Sequence, residues 1–388
     1  MQLSTIDPDE QRAWLQLARS RGIGPTHALR LFNRFGSAVE AVAALPRLIS
    51  TDRWPNCVLC SAGQADRERD AVARSGAHLL VYGDSRLPAA LREIADPPVA
   101  LIVRGSPALL TGEGVAIVGA RDASANGCTL ASRIAFDLAE AGMTIVSGLA
   151  RGIDTFAHRG ALDGGGTTIA FVGGGADVIY PPENAELTAK IAACGCVISE
   201  RPLGAIPRAR DFPRRNRLIS GFAKGVLVVE AALRSGSLIT ARLAAEQGRE
   251  VMAVPGSPLD PRHGGTNHLL KQGATLVENA ADILSFLRPL SDARMGPDRP
   301  IHPSKAESAA SRRHFAPGGT ATMASPRRQV LTLEEQLLQL IAMEPVAVDE
   351  LVRQCQASVA HVQEVLLELE LDGRIDRHSG NRVSRRAA

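Results

Sequence analysis

Residues 207–217 carry five arginines, Arg208, Arg210, Arg214, Arg215 and Arg217, against one acid, Asp211. A guanidinium fork matches phosphate geometry and keeps its charge at any physiological pH. Such a run is ordinarily a solvated face, but this one lies between two apolar runs and opens a helix near Arg214. Arg121 and Arg151 follow two other apolar runs closely, and the three groups together suit a polyanion groove better than a seat for one phosphate. Small residues stand beside them: Gly119-Ala120-Arg121, Ser147-Gly148-Leu149-Ala150-Arg151-Gly152, Gly173-Gly174-Gly175 and Ser235-Gly236-Ser237. At strand ends that lead into helices, such turns expose backbone N–H groups to an anion.

Residues suited to bond-breaking chemistry are sparse. Asp154 and His158 stand four apart on one helix face and suit a supporting pair better than a catalytic one. Cys57 and Cys60 form a single C-x-x-C in a helical zone, with no second pair to close a zinc site. Glu200 and Glu230 end two apolar runs, where they either face a pocket or hold arginines in place. There is no G-x-S-x-G, Walker A or H-E-x-x-H, and Val118-Gly119-Ala120-Arg121 is not the dinucleotide fingerprint G-x-G-x-x-G. The expectation is a binding protein with no catalytic residues, no metal and no cofactor.

These residues need a scaffold, and the apolar pattern supplies one. Short runs at 78–82, 99–103, 115–119, 144–147, 168–172, 196–199, 226–230, 251–254 and 275–277 are mostly continuous rather than alternating. Strands buried on both faces look like this, and such strands belong to parallel sheets. Between them, segments such as 129–142 and 237–248 have helical spacing and close on glycine. Strand–helix repetition predicts a Rossmann-like, doubly wound α/β domain over 76–287, whose ligands sit outside the carboxyl ends of the strands.

Before it, residues 1–75 read as a helical domain. Gly22-Ile23-Gly24-Pro25 between two short helices is the helix-hairpin-helix form, although no basic rim lies close to the turn in sequence. After it, residues 288–330 are rich in proline, with eight Arg/Lys against three acids, and read as a basic disordered linker. Residues 331–388 predict three helices and a hairpin turning at Ser379-Gly380-Asn381, a winged helix. This last segment holds ten acids and six arginines, and its third helix, 358–372, has Glu364, Glu368, Glu370 and Asp372 but no Lys or Arg. A major-groove reader should be basic. The tail is therefore expected to contact protein, or DNA only through Arg377, Arg382, Arg385 and Arg386.

Composition sets the bounds. The chain has 388 residues, enough for two or three domains, with 45% hydrophobic and 22% charged residues and a net charge of +3. No apolar run spans a bilayer, and the first residues lack a secretory h-region, so the expectation is a cytoplasmic protein with free thiols and no membrane partner. Nine Phe, two Trp and two Tyr argue against base stacking as the binding mode. The expected grip is on phosphates.

Over residues 82–276 the motifs in order resemble the DNA processing protein A family, also called DprA or Smf. The resemblance rests on Asp96-Pro97-Pro98, Gly119-Ala120-Arg121, Ser147-Gly148-x-Ala150-x-Gly152-Ile153-Asp154, Ala157-His158 and Gly173–Gly175 with Asp177 and Tyr180-Pro181. It continues through Phe212-Pro213-Arg214-Arg215-Asn216-Arg217-x-Ile219-Ser220-Gly221, Val229-Glu230-Ala231, Ser235-Gly236-Ser237, Ala253-Val254-Pro255-Gly256 and Gly265-Thr266-Asn267. The flanks are similar to that family's sterile-alpha-motif-like domain and winged helix. Departures are small: a Gly-Gly-Gly-Ala end to the 168–172 run, and Phe222 in place of the usual leucine.

The resemblance implies a non-enzymatic protein that binds and protects incoming single-stranded DNA. It further implies a homodimer formed through the Rossmann-like domain, and loading of the RecA recombinase during natural transformation. The DNA-binding residues implied are Gly119, Arg121, Ser147, Gly148, Arg151, Arg214, Arg215, Asn216 and Arg217, with Gly174 and the Ser235, Gly236, Ser237 turn behind them. The competing reading is a nucleotide-acting enzyme of a related fold, of the phosphoribohydrolase type. That reaction needs positioned carboxylates, and the family in question carries a Pro-Gly-Gly-x-Gly-Thr-x-x-Glu element that the nearest stretch here, Pro255-Gly256-Ser257-Pro258, does not match. A plain protein-interaction scaffold would leave the arginine run unexplained.

Overall fold

The computed structural model describes residues 6–50, 57–111, 114–287 and, near the C-terminus, 337–338, 340–341, 345–348, 351, 355, 359–378 and 382–385. The chain divides into two compact units, Met1–Arg299 and Pro300–Ala388. The predicted linker at 288–330 and the turn at 379–381 lie outside the described residues.

The first unit begins with α1 (Pro8–Arg19), α2 (Pro25–Phe35), α3 (Ala38–Ser50) and α4 (Ala62–Arg74). Asp7 accepts the amides of Asp9 and Glu10 ahead of Pro8, and Ser61 and Gln64 form a reciprocal capping box, so these short helices start at chemically fixed points. Trp14, almost fully buried, packs its ring 5.0 Å from Phe32 and 5.3 Å from Tyr82. The helical segment expected at 1–75 thus shares a core with the sheet that follows.

That sheet has nine strands: β1 (His78–Val81), β2 (Ala100–Gly105), β3 (Gly114–Val118), β4 (Thr144–Ser147), β5 (Thr168–Phe171), β6 (Cys196–Ser199), β7 (Ala223–Val228), β8 (Glu250–Ala253) and β9 (Thr275–Leu276). Their order is β1-β2-β6-β5-β4-β3-β7-β8-β9. From β6 to β9 all pairings are parallel, whereas β2 runs antiparallel to both β1 and β6. The apolar runs place all nine strands, but β2, in its pair with β1, is reversed against the other eight, which departs from the all-parallel expectation. Both faces of that pair are covered, so its residues are as apolar as those of a parallel strand, and an apolar run records burial rather than direction.

Helices α5 (Ala89–Arg92), α6 (Ala125–Glu140), α7 (Ile153–Asp163), α8 (Ala185–Cys194), α9 (Asp211–Phe222), α10 (Gly236–Glu246), α11 (Gly264–Lys271) and α12 (Ala280–Leu287) cover the sheet. Leu91, Leu218, Ile219 and Ala241 pack on one face, and Ile134, Leu138, Ala157 and Ile283 on the other. Helices α6 and α7 approach so closely that a Cβ on Gly160 would lie 2.0 Å from the Ser132 carbonyl. Strand order reverses at β3, flanked by β4 on one side and β7 on the other, which opens a crevice beyond its carboxyl end.

The second unit contains β10 (Val346–Ala347), α13 (Val359–Leu371), β11 (Ile375–His378) and β12 (Arg382–Arg385), with strands ordered β10-β12-β11. Leu337, Ile341, Val362, Leu366, Ile375 and Val383 form its core. Helix and wing sit where the winged-helix reading puts them. Arg377 is paired with Glu370 at 2.8 Å, and Arg386 lies outside the described residues. Among the described residues no helix is long and apolar enough to cross a membrane.

Candidate nucleic-acid interface

The crevice beyond β3 is a cleft of about 820 Å3. Its floor is the Gly119–Arg121 loop, its walls are the start of α9 and the N-terminus of α10, and its outer rim includes Tyr180 and Pro207. The loop after β3 and the loop after β4 meet without room for side chains. A Cβ on Gly119 would lie 2.5 Å from Ile153, and one on Gly152, which has φ +68°, would lie 2.2 Å from the Ala120 carbonyl. This backbone contact leaves Arg121 at the surface, with its guanidinium 5.2 Å from the centre of the Phe212 ring. Leu149, within the second loop, has φ +56° and is the only non-glycine residue described in the left-handed region.

The arginine run separates by direction. Arg214 is exposed and has no ion pair among the described residues. Arg215 is buried and points under the loops, its Nη1 donating to the Gly148 carbonyl at 2.7 Å and to the Phe171 carbonyl. Burial, together with nearby Arg121, brings Arg215 down to about 10, while Asp154 pulls it up. Arg217 is also buried and lies between two carboxylates, at 2.8 Å from Asp96 and 2.6 Å from Glu200. Asn216 lines the cleft and accepts from Arg215 Nε at 3.2 Å.

Three expected contact residues therefore have internal work. Arg215 and Arg217 brace the site, and Ser147 donates its hydroxyl to the Ile117 carbonyl at 2.6 Å from inside the sheet. Every third or fourth residue of a helix faces the same way, so a contiguous run cannot place all its guanidinia in one cleft.

The remaining expected residues sit around the opening. Gly148 forms the β4 turn and donates its N–H to Asp154 at 3.1 Å. Arg151 is 62% exposed and pairs with Glu183, an exposed contact worth little to stability. Gly174 packs under Ala205 and Pro207, where a Cβ would meet both below 3.0 Å. At α10, Ser235 is the N-cap, its Oγ accepting from the Ser237 N–H at 3.3 Å and lying 2.6 Å from the Ser237 hydroxyl. Gly236 faces open space.

Four cleft residues carry a signal that the run of 207–217 obscures. Arg234 immediately precedes the Ser235 turn and Arg262 is held by Asp260. Tyr180, 47% exposed, and Phe212 lie with ring centres 5.7 Å apart, distant in sequence and adjacent in the cleft. The low aromatic count does not keep rings out of the site, because two of the few are placed here.

Glu200 holds Arg217, one of the two roles open to it. Glu230 is buried, accepts from the backbone N–H and hydroxyl of Ser124, and thereby ties β7 to the start of α6. Asp154 and His158 do not bond to each other among the described residues. Burial raises Asp154 above the usual carboxylate range, opposed by Arg215 and by the Ala150 and Gly148 amides. His158 Nδ1 lies 2.7 Å from Thr168 Oγ1, which itself donates to Ile145 O, so Nδ1 carries the proton and the ring is neutral.

Burial, helped by Arg215, lowers His158 to about 3. The unfolded chain then takes up this proton near pH 6.5 and the folded chain near pH 3, so stability falls as pH drops through that window. The expected loss is about 1.4 kcal/mol per pH unit. Raised Asp154 contributes in the opposite sense, because the folded chain protonates it first. Urea titrations at several pH values should show His158→Asn losing this slope relative to wild type. Parallel pH profiles for the two proteins would refute the neutral buried ring.

Comparison with known proteins fits this geometry. A family model for DNA recombination-mediator protein A matches residues 78–288. The chain belongs to the DNA processing protein A (DprA) family. Models for a DprA-like N-terminal HHH domain and a DprA winged helix domain match 8–71 and 321–381. This DprA chain is 41% identical over 314 residues to Protein Smf of Escherichia coli, covering 80% of this chain and 78% of the relative. It is 46% identical over 202 residues to DNA processing protein DprA of Streptococcus pneumoniae, 52% of this chain and 71% of that one. Among solved structures, DprA from Streptococcus pneumoniae superposes with a TM-score of 0.62 at 34% identity, covering 72% of this chain and 98% of that chain. DNA processing protein A from Helicobacter pylori, described for its single-stranded DNA binding mode, gives 0.50 at 31% identity, over 54% and 95%. The Gly-Gly-Gly-Ala end of β5 and Phe222 leave this DprA assignment intact.

Proposed function

We propose that this DprA chain binds single-stranded DNA by its backbone in the cleft beyond β3 and acts in DNA recombination without catalysing a reaction. The observation that carries the reading is the placement of Arg121 and Arg234 at the cleft surface, with no ion pair among the described residues, beside the open N-terminus of α10. Arg121, Arg151, Arg234 and the Gly119, Gly148, Gly174 and Gly236 turns are the contact set, together with Arg214, which lines an adjoining recess. Ser147, Arg215, Asn216, Arg217, Ser235 and Ser237 support them. Tyr180 offers one ring to an unstacked base.

Protection of incoming strands, loading of RecA recombinase and dimerisation through the Rossmann-like domain belong to the same proposal, with family membership as their support. So does the division into 1–75, 76–287, a linker at 288–330 and 331–388, and so does a cytoplasmic location. The nucleotide-hydrolysing alternative needs paired carboxylates. Of the two acids that line the cleft, Asp122 and Asp154, the second is buried and already accepts from the Gly148 and Ala150 amides.

Equilibrium titration of a labelled single strand, with an unlabelled duplex of the same sequence as competitor, tests the reading. The single strand should win by tenfold or more, about 1.4 kcal/mol, and deletion of 331–388 should leave its affinity within a few-fold. Equal affinity for duplex would refute single-strand binding. A tenfold loss on deletion would place a major contact in the acidic tail.

A further inference from the structure

A second recess, of about 390 Å3, lies where the turn between α1 and α2 faces the carboxyl ends of β5 and β6. Its walls include Arg21, Gly173, Arg201, Arg214 and Arg215. Arg21, next to the hairpin in sequence, is thus joined across space by arginines from the sheet side. The charges facing it are unequal. Arg19 is committed to Glu68 and to the Glu200 carbonyl, Glu200 to Arg217, and Arg215 to two carbonyls. The guanidinia of Arg21, Arg201 and Arg214 have no partner among the described residues, and Arg201 Nε is shut off from solvent without a hydrogen bond. Against these three stands Asp211, which accepts the Arg208 N–H at 2.9 Å.

A buried, unpaired guanidinium N–H costs free energy unless a ligand accepts it. The acceptor must be anionic and rich in oxygen, as a phosphate is. The backbone turn is held in place for such a ligand by the Arg21–Val58 bridge, whose two N–H···O bonds are both 3.0 Å. The recess is also continuous with the main site. Gly173 walls both it and a smaller 200 Å3 pocket that contains Arg121 and Phe212, and Arg215 separates it from the 820 Å3 cleft.

We propose that this recess is a second phosphate seat, and that a strand lying in the cleft continues over Gly173 to place a backbone phosphate among Arg21, Arg201 and Arg214. The proposal rests on the reading of the cleft as a strand-binding site, and extends the bound strand onto the helical hairpin.

Its test compares oligothymidylates of about 5 and about 20 nucleotides on the full-length wild type, on Arg21→Ala/Arg201→Ala, and on Arg121→Ala. Among the described residues neither Arg21 nor Arg201 bonds through its side chain, so the double variant should fold as wild type. It should bind the long strand about tenfold more weakly with a shallower salt dependence, and the short strand within about twofold. Arg121→Ala should weaken both. Unchanged affinity of the double variant for the long strand, while Arg121→Ala loses it, would overturn the second seat and leave the cleft standing. Wild type binding neither length would overturn both. A further arm adds inorganic phosphate and follows the Arg201 Nε–H resonance by NMR. A shift is expected, and its absence at saturating phosphate would also overturn the seat.

Discussion

Arg217→Ala should lower the free energy of unfolding by about 3–5 kcal/mol, although Arg217 stands in the most basic stretch of the chain. The side chain is 4% exposed and its three nitrogens are divided between Asp96 and Glu200. Removing the guanidinium leaves Glu200, itself 15% exposed, with a desolvated charge and no partner. Asp96 is 47% exposed and adds little, because water can replace its contact. Arg217 also ties α9 to the end of α10 through its backbone, its carbonyl accepting from Gln247 Nε2 at 3.1 Å. Lysine should recover only part of the loss, since one ammonium cannot span both carboxylates as the fork does. Urea unfolding would read the change as a lower midpoint at constant slope. A loss under about 1 kcal/mol would mean that Arg217 behaves as a surface charge, and its place among the supporting residues would fall.

Gly148→Ala should be nearly as damaging, through a different route. The new Cβ would lie 2.4 Å from Arg215 Nη1 and 2.7 Å from its Cζ. The end of an arginine usually swings away at small cost. Here it is buried, and it donates to the Gly148 and Phe171 carbonyls from beneath the turn. Displacement would break two charge-assisted bonds, each worth about 1.5–3 kcal/mol, and would leave Arg215 and Asp154 without their packing. The expected result is a loss of roughly 3 kcal/mol or more, together with weaker single-strand binding because the β4 turn moves. Arg215→Ala should show the same pair of effects, acting through the turn rather than through a lost phosphate contact. Thermal melts beside binding titrations would separate these cases. Wild-type melting with lost binding in Arg215→Ala would make Arg215 a direct contact instead of a support.

Both expectations turn on what a linear chain can and cannot record. Burial leaves a mark in composition, so all nine strands are legible as apolar runs. Glycines at strand ends are legible because the β3 and β4 loops touch with no space for a Cβ. Direction is not recorded: the reversed strand β2 is as apolar as the parallel strands, and Arg214, Arg215 and Arg217 are the same residue type with three different surroundings. The helix rotates each by about 100° from the next, and only the packing of α9 decides which one meets solvent. Tyr180 and Phe212 escape notice for a related reason, since their meeting at 5.7 Å is a product of the fold. Arg234 was within reach, standing directly before a capping serine at a strand end.

The proposed grip is on phosphates, held by cleft arginines. Affinity for an oligothymidylate should be measured across a range of salt concentrations for wild type and Arg121→Ala. Arg121 makes no hydrogen bond or ion pair among the described residues, so its removal should spare the fold. A plot of log affinity against log salt should be linear and negative for wild type, and shallower by about 0.7, one phosphate contact on a single strand, for the variant. Identical slopes for the two proteins would contradict the account, because Arg121 would then carry no part of the phosphate contact that the cleft is built to make.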